Sequence, residues 1–403
     1  MSTDTMTRRS GPTLREVVER LAPIERKPGS PGEEQAAGWL ADRLRAAGAR
    51  DVVVEPAGYR PGYAPLIGAG TAIAAAAGVA ALRRPGRHLP AALTGLAIGA
   101  GIADDTANGM RLLRRATAKR KATQNVVARI GPEDAPHTLV VLAHHDAAPT
   151  GFIFDQTLHH AAGERFPGII ERRDTAVPMW WPVFGGPLLV GAGALLGRRA
   201  LTAAGTVLAA TTALTMADIA RGRTVPGAND NLSACAVLVA IAERLAVEPA
   251  DGLRVLLVSC GAEEVCQGGI YDFVEQHRHE LAPERTSVLN LDTVGSPRLV
   301  MLEGEGTIRT TDYTGPGFRD LVADSAREAG ITLRRGMRAM SSTDSVVTSR
   351  AGYATATLSS VDEHKALANY HLMSDTPENL DYEIVADALE LTLAVARRLA
   401  VRG

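Results

Sequence analysis

A chain of 403 residues has room for one large domain or two ordinary ones. Its formal net charge of −2 argues against a nucleic-acid binder, and three cysteines are too few for a disulfide framework. The first residues, Met1 to Pro12, are polar with Arg8 and Arg9. No apolar run follows them directly, so no cleavable signal peptide is expected.

In chain order, Thr13 to Leu21 has the spacing of an amphipathic helix, and Pro28-Gly29-Ser30-Pro31-Gly32 forms a turn. In Glu33 to Gly48, Ala36, Leu40, Leu44 and Ala47 recur at helical spacing, with Gly48 as the C-cap. Asp51 to Glu55 reads as a short strand. Pro65 to Leu82 then carries no charge at all. As a helix it reaches roughly 27 Å, close to the hydrocarbon thickness of a bilayer. A basic turn, Arg83 to His88, leads into a second apolar run, Leu89 to Ala103, with Gly95 and Gly99 in GxxxG spacing. A buried Ala-rich hairpin in a soluble protein has the same pattern; the reading adopted is a membrane hairpin. The cluster Arg111, Arg114, Arg115, Lys119, Arg120 and Lys121 follows it, and is read as an anchor to anionic headgroups rather than a merely solvated face.

Asn125 to Ile130 and Thr138 to Ala143 are predicted strands around a Gly131-Pro132 turn. The stretch Val140-Val141-Leu142-Ala143-His144-His145-Asp146 reads as a buried strand ending in a ligand-bearing edge. A long irregular stretch is expected after Asp146. Its His159-His160 pair is read as exposed loop, because no carboxylate lies at helical spacing. Trp180-Trp181-Pro182 opens a second apolar hairpin, Val183 to Leu196 and Leu201 to Ala217 around Arg198-Arg199. The Trp pair suits a membrane interface, or an ordinary core.

From Gly227 onward α/β character returns. Helices are predicted over Asn231 to Val247, Gly269 to His279, Gly317 to Gly330 and Tyr382 to Ala400. Strands are predicted over Leu253 to Ser259, Ser287 to Leu291 and Ala354 to Leu358. Strands alternating with helices give an α/β fold, a three-layer αβα sandwich with a mostly parallel mixed sheet. The expected catalytic domain comprises residues 1–62, 105–179 and 219–403. Residues 63–104 and 180–218 are the two hairpins.

Carboxylates and imidazoles at strand ends are the usual makings of a site in an open α/β sheet. Asp230 precedes a helix, where an N-cap is the plain alternative. Glu263 and Glu264 follow a strand directly, and Asp292 ends another. Each has a bland reading alone, as a solvated loop or turn acid. Together with His144 and His371 they would be five coincidences at equivalent strand ends. Cys260 and Cys266 straddle the Glu pair and are read as small buried fillers, since no CxxC pair supports a thiolate ligand.

The ordered series His144-x-Asp146, Gly227-Ala-x-Asp230-Asn231, Glu263-Glu264, Leu291-Asp292, and His371 with Asp375 resembles the co-catalytic zinc aminopeptidases of family M28. The resemblance takes in most of the chain outside the hairpins. It implies two zinc ions, other divalent metals being possible. One would be held by His144, Asp230 and Asp292, the other by Asp230, Glu264 and His371. It also implies a hydroxide held between the metals, Glu263 as general base and Asp146 orienting His144. Ser345 after Asp344, Gly269 and Leu372 depart from the residues frequent in the family. The expected function is a membrane-anchored peptidase, most simply an aminopeptidase, whose partners are a peptide substrate and the lipid bilayer. Because the second hairpin is inserted between His144 and Asp230, it is expected to root near the metals. The basic residues at the hairpin roots favour a cytoplasmic catalytic domain. Two alternatives stay open: a glutaminyl-cyclase-like acyltransferase with one metal, or an inactive peptidase-like binding domain.

Overall fold

The computed structural model describes residues 3–175 and 179–402. Nine strands form one sheet: β1 (Arg50–Tyr59), β2 (Lys121–Ile130), β3 (His137–His144), β4 (Leu253–Cys260), β5 (Thr286–Leu291), β6 (Arg298–Glu305), β7 (Thr311–Asp312), β8 (Arg334–Ala339) and β9 (Ala354–Val361). The order is β1-β2-β4-β3-β5-β9-β6-β7, with β8 beside β6. The centre is parallel: β3 pairs with β4 and β5, and β5 with β9. The flanks are antiparallel, β1 on β2, β2 on β4 and β6 on β9. Parallel central strands need cover on both faces. Here Leu139, Val141 and Ala143 of β3 join one core with Leu40, Leu238, Leu321 and Leu389. Val140 and Leu142 join a second core with Ile270, Phe273 and Val346 on the opposite face. The expected three-layer α/β fold is borne out.

Because β3, β4, β5 and β9 run the same way, their carboxyl ends share one edge. His144 closes β3, Gly261 to Glu264 follow β4, Asp292 follows β5, and the loop carrying His371 follows β9.

The apolar segments form four helices, Tyr63–Leu82, Leu89–Thr106, Trp181–Leu196 and Arg199–Arg221. They pack as one bundle rather than as two separate hairpins. Gly95 lies so close to the third helix that an added Cβ would sit 2.5 Å from the Gly191 nitrogen, and one on Gly99 would meet Leu188 at 2.6 Å. The GxxxG pair therefore joins one hairpin to the other. The two basic tips also meet, His88 N donating to Ala194 O at 2.9 Å. Charge within the four helices is confined to their ends, Arg199 at a tip and Asp104, Asp105, Asp218 and Arg221 at the roots. Outward-facing Ile73, Leu93, Val207 and Leu214 are 57–71% exposed. Buried threonines bond within their own helices, as Thr71 does to Ile67 O and Thr206 to Thr202 O.

Tyr63–Leu82 and Arg199–Arg221 are each long and apolar enough to cross a membrane, and only a third of each apolar window is buried. A core helix of a soluble protein would hide most of that surface.

Three expectations need correction. The stretch after Asp146 is not irregular throughout: it holds helices Thr157–Arg165 and Pro167–Glu171. His160 does have a carboxylate partner, Asp362 at 2.8 Å, supplied from the far end of the sequence. The basic cluster is not all turned toward lipid. Arg114 is buried against Asp105, Arg111 donates to Cys266 O at 2.9 Å and Arg120 pairs with Asp272, which leaves Arg115, Lys119 and Lys121 exposed.

Candidate metal centre

The loop that carries Asp230 is held open before its helix starts. Asp230 and Asn231 have non-helical backbone, and the helix begins only at Ser233. Asp375 explains this: its carboxylate accepts from Asn229 N at 2.7 Å and Asp230 N at 3.1 Å. Those amides are therefore unavailable to a regular helical turn. Gly227 enters the loop at φ 60°, a region that favours glycine. Arg26, fully buried, donates to Pro226 O, Gly227 O and His145 O, tying this loop to the end of β3. Burial pushes its guanidinium down to about 10. Asp230 itself faces the two imidazoles instead of capping a helix.

His144 Nε2 lies 3.2 Å from Asp230 Oδ1, and His371 Nε2 lies 3.3 Å from Asp230 Oδ2. His371 Nε2 is also 3.2 Å from Glu264 Oε2. Two groups of three donors result, each within 4.8 Å: His144, Asp230 and Asp292, and Asp230, Glu264 and His371. All five expected ligands are brought together, and the two oxygens of Asp230 face opposite groups.

The donor set fits a pair of cations. Donors each about 2.0–2.1 Å from a tetrahedral metal stand roughly 3.3 Å from one another, which matches these separations. Both ring nitrogens of His371 and Glu264 Oε1 are buried without a hydrogen-bond partner. Unpartnered buried polar atoms are costly, and a coordinated ion removes the cost. Without that ion the charges lean on one another. Burial drives the His144 ring toward neutrality, but Asp146 and Asp230 outweigh it and hold the ring well above its ordinary value. Burial raises Glu264 and Asp292 each to about 6.

Around the ligands, Asp146 accepts from Glu263 N and Glu264 N at 3.0 Å each, and lies 3.4 Å from His144 Nδ1. It therefore fixes the backbone of the Glu pair as well as facing the histidine. Gln267 Nε2 donates to Glu263 Oε1 at 3.0 Å. Burial, Asp344, Glu264 and Asp292 raise Glu263 well above the ordinary carboxylate range against the pull of His144. Glu33 of the N-terminal turn holds Gly29 N, Ala262 N and Thr123 together, and burial raises it to about 8. His145 does not join the site: it turns to Ser259 Oγ at 2.9 Å, and burial pushes it down to about 4.

A cavity of about 160 Å³ adjoins the centre, lined by His144, Glu263 and Asp292 on one side. Ile170, Val300, Leu302, Met337 and Leu367 contribute apolar surface, and Arg173, Arg338 and Lys365 positive charge.

The expected family resemblance is borne out: residues 212–396 match the model of Peptidase family M28. The M28 segment holds Asp230, Glu263, Glu264, Asp292 and His371, while His144 and Asp146 lie upstream of it. Comparison with curated proteins finds no match. Among solved structures, a leucine aminopeptidase precursor from Bacteroides thetaiotaomicron aligns at 14% identity over 96% of both chains, with TM-score 0.56. An aminopeptidase from Aneurinibacillus sp. strain AM-1 aligns at 14% identity over 98% of this chain and 95% of its own, also at 0.56. A glutaminyl cyclase from Bacteroides thetaiotaomicron aligns at 14% identity over 96% of this chain and 97% of its own, again at 0.56. At such identities the likeness is one of fold.

Sequence reasoning missed four residues that shape this centre. Arg26 gave no motif; only its complete burial marks it. Asp344 was noted for its neighbour Ser345, yet both its buried oxygens lack a hydrogen-bond partner, and burial raises it to about 7. Tyr370 stacks on His371 at 3.8 Å between centroids, with Phe154 edge-on at 4.5 Å. A pair of aromatics far apart in sequence leaves no local signal.

Proposed function

We propose that the chain is a membrane-anchored di-zinc metallopeptidase that releases residues from the amino terminus of peptides. The observation that carries this reading is the pair of three-donor groups sharing Asp230, with Glu263 beside them. His144, Asp230 and Asp292 would hold one ion, and Asp230, Glu264 and His371 the other. Zinc bound there supplies a Lewis acid for the scissile carbonyl and an acidified water. Glu263 takes the proton of the attacking water and returns it to the leaving amine. Gln267 holds one Glu263 oxygen and leaves the other for that proton. Asp146 keeps both members of the Glu pair in register, and Asp375 keeps Asp230 turned inward. The solved aminopeptidases of like fold support an exopeptidase. The His144 and Asp292 donors favour two metals over the one-metal cyclase alternative.

We further infer that all four apolar helices sit in the bilayer. At about 1.5 Å per residue they reach roughly 24–34 Å, which brackets the hydrocarbon core. Trp180 packs edge-on against Tyr63, centroids 6.1 Å apart, at the roots, where an aromatic belt is expected. Residues 63–104 and 180–218 are then the anchor, and the rest of the chain is the catalytic domain. Arg111, Arg114, Arg115, Lys119, Arg120, Lys121, Arg221 and Arg223 on the root side outnumber Arg83, Arg84, Arg87, Arg198 and Arg199 at the tips, which supports a cytoplasmic catalytic domain.

The test is metal analysis of detergent-purified protein together with hydrolysis of aminoacyl-arylamides, for the parent chain and Glu263→Gln. Near two metals in both proteins, with turnover falling by about 10²–10⁴ in the variant, supports the proposal. Metal without hydrolysis overturns it in favour of a binding domain. Cyclisation of amino-terminal glutamine without peptide hydrolysis overturns it in favour of an acyltransferase.

A further inference from the structure

Residues 151–175 form a strap that starts at the bundle root. Phe152 N donates to Asp218 Oδ2 at 2.8 Å, near the end of the Arg199–Arg221 helix. Phe154 is buried in a cluster with Ala64, Ile67, Ile102, Met216 and Ile219, so it touches the root of the bundle, and it also lies against His371. From there the strap crosses the loop that follows β9. Gln156 donates to Leu367 O, His159 Nε2 lies 2.9 Å from His364 O, and His160 pairs with Asp362. It then reaches the sheet edge, where Arg338 N donates to Asp174 O. By Trp180 the chain is back at the bundle root.

The inward side of the strap is engaged, by Phe154 at the bundle root and by Gln156, His159 and His160 on the loop after β9. Its other side is not. Phe152, Ile153, Leu158, Phe166 and Ile169 are 45–85% exposed, an unusual concentration of large apolar side chains on a short segment. Next to the strap's return, Met179 and Trp181 are also half exposed and lead directly into the apolar belt of the bundle. His159, Ile170 and Arg173 of the strap line the cavity beside the metal centre.

We propose that the exposed apolar side of residues 152–169 lies in the interfacial layer of the bilayer, so that the cavity opens along the lipid surface and takes peptides held there. The inference rests on the membrane reading of the bundle. Lipid is the occupant because the strap starts at the bundle root and the exposed Met179 and Trp181 beyond its far end lead into the apolar belt. An in-plane segment of this kind needs apolar side chains on one side and a polar anchor on the other.

The experiment uses the full chain in phosphatidylcholine vesicles containing brominated lipid. Single cysteines at Leu158, Ile169, Leu214 and Glu284 carry a bimane fluorophore, and unsubstituted protein serves as the labelling blank. Quenching at 158, 169 and 214, with none at 284, supports the proposal. Quenching at 214 but not at 158 or 169 overturns it and leaves the anchored reading standing. No quenching at 214 overturns both. A second measurement compares the parent with a triple variant, Leu158→Glu, Phe166→Glu and Ile169→Glu. The expected result is unchanged kcat/KM on a soluble aminoacyl-arylamide and a KM at least about tenfold higher for a vesicle-bound acylated peptide. Equal KM values for the vesicle-bound peptide overturn the route of entry.

Discussion

Replacing Arg114 with Met isolates the joint between the bundle and the catalytic loop. Arg114 Nε and Nη2 donate to the two oxygens of Asp105 at 2.8 and 2.7 Å, Nη1 to Arg60 O at 2.9 Å, and Nη2 also to Cys266 Sγ at 3.2 Å. Both side chains are 1–2% exposed. Without the guanidinium, Asp105 is left charged, buried and uncompensated. Breaking a buried pair in this way costs about 3–5 kcal/mol. The exposed pair Arg45–Asp42, at 2.7 Å with side chains 49% and 80% exposed, is the control, and Arg45→Met should cost at most about 0.5 kcal/mol. Replacing both buried partners, Arg114→Met with Asp105→Leu, should recover much of the loss, because an apolar pair of similar volume carries no desolvation cost. Tryptophan fluorescence during denaturation in detergent reads the parent, these three variants and the Asp105→Leu single variant that completes the cycle. A loss below about 1 kcal/mol for Arg114→Met would refute the reasoning, as would a double variant no better than the sum of its parts.

At the metal centre, His144→Ala and His371→Ala should each lose about one equivalent of zinc by elemental analysis, whereas Asp230→Ala should lose both. Gly95→Leu should separate the hairpins, since even a Cβ there meets Gly191 at 2.5 Å; the readout is a lower detergent melting temperature with the metal content kept. Leu142→Ala removes a fully buried strand residue and should cost about 2–5 kcal/mol in the same denaturation assay. His277 lies 2.9 Å from both Glu55 and Glu280; burial opposes its charge, but the two carboxylates raise it above 6.5. Its stabilisation is complete below 6.5 and is lost as pH rises through the raised value. Burial would raise Glu280, yet His277 and Arg254 hold it at about 2, so its share is present above 4.5 and is lost as pH falls toward 2. His277→Gln should therefore melt with less dependence on alkaline pH than the parent, and equal slopes above neutrality would contradict this assignment.

How far the sequence could be read depended on where each signal was written. The parallel centre was legible because β3 and β4 bury both faces and carry apolar runs, Leu139 to Ala143 and Val255 to Val258. The hairpins were legible because charge vanishes between their ends. Strands β6 and β8 were not. Arg334, Arg335 and Arg338 of β8 are paired with Glu171, Glu303 and Asp312, so its residues carry charge rather than apolar alternation. Four of the ligands could be named because each stands at the end of an apolar strand or just before a helix; His371, in the loop after β9, was named only through the ordered series. What locks them could not. Arg26 works on carbonyls, and Phe154 and Tyr370 meet at His371 only in three dimensions.

The order of the chain gives the joined bundle a further consequence. All four of its helices have been synthesised by Arg221, when His144 is the only one of the five ligands yet made. Domains form as their segments emerge. On the proposed membrane reading, the anchor can thus be seated while β4, β5 and β9 are still unmade, and His371 is the last of the five ligands to be made. Under that reading, catalytic competence would begin at the bilayer, because no complete metal centre precedes its anchor.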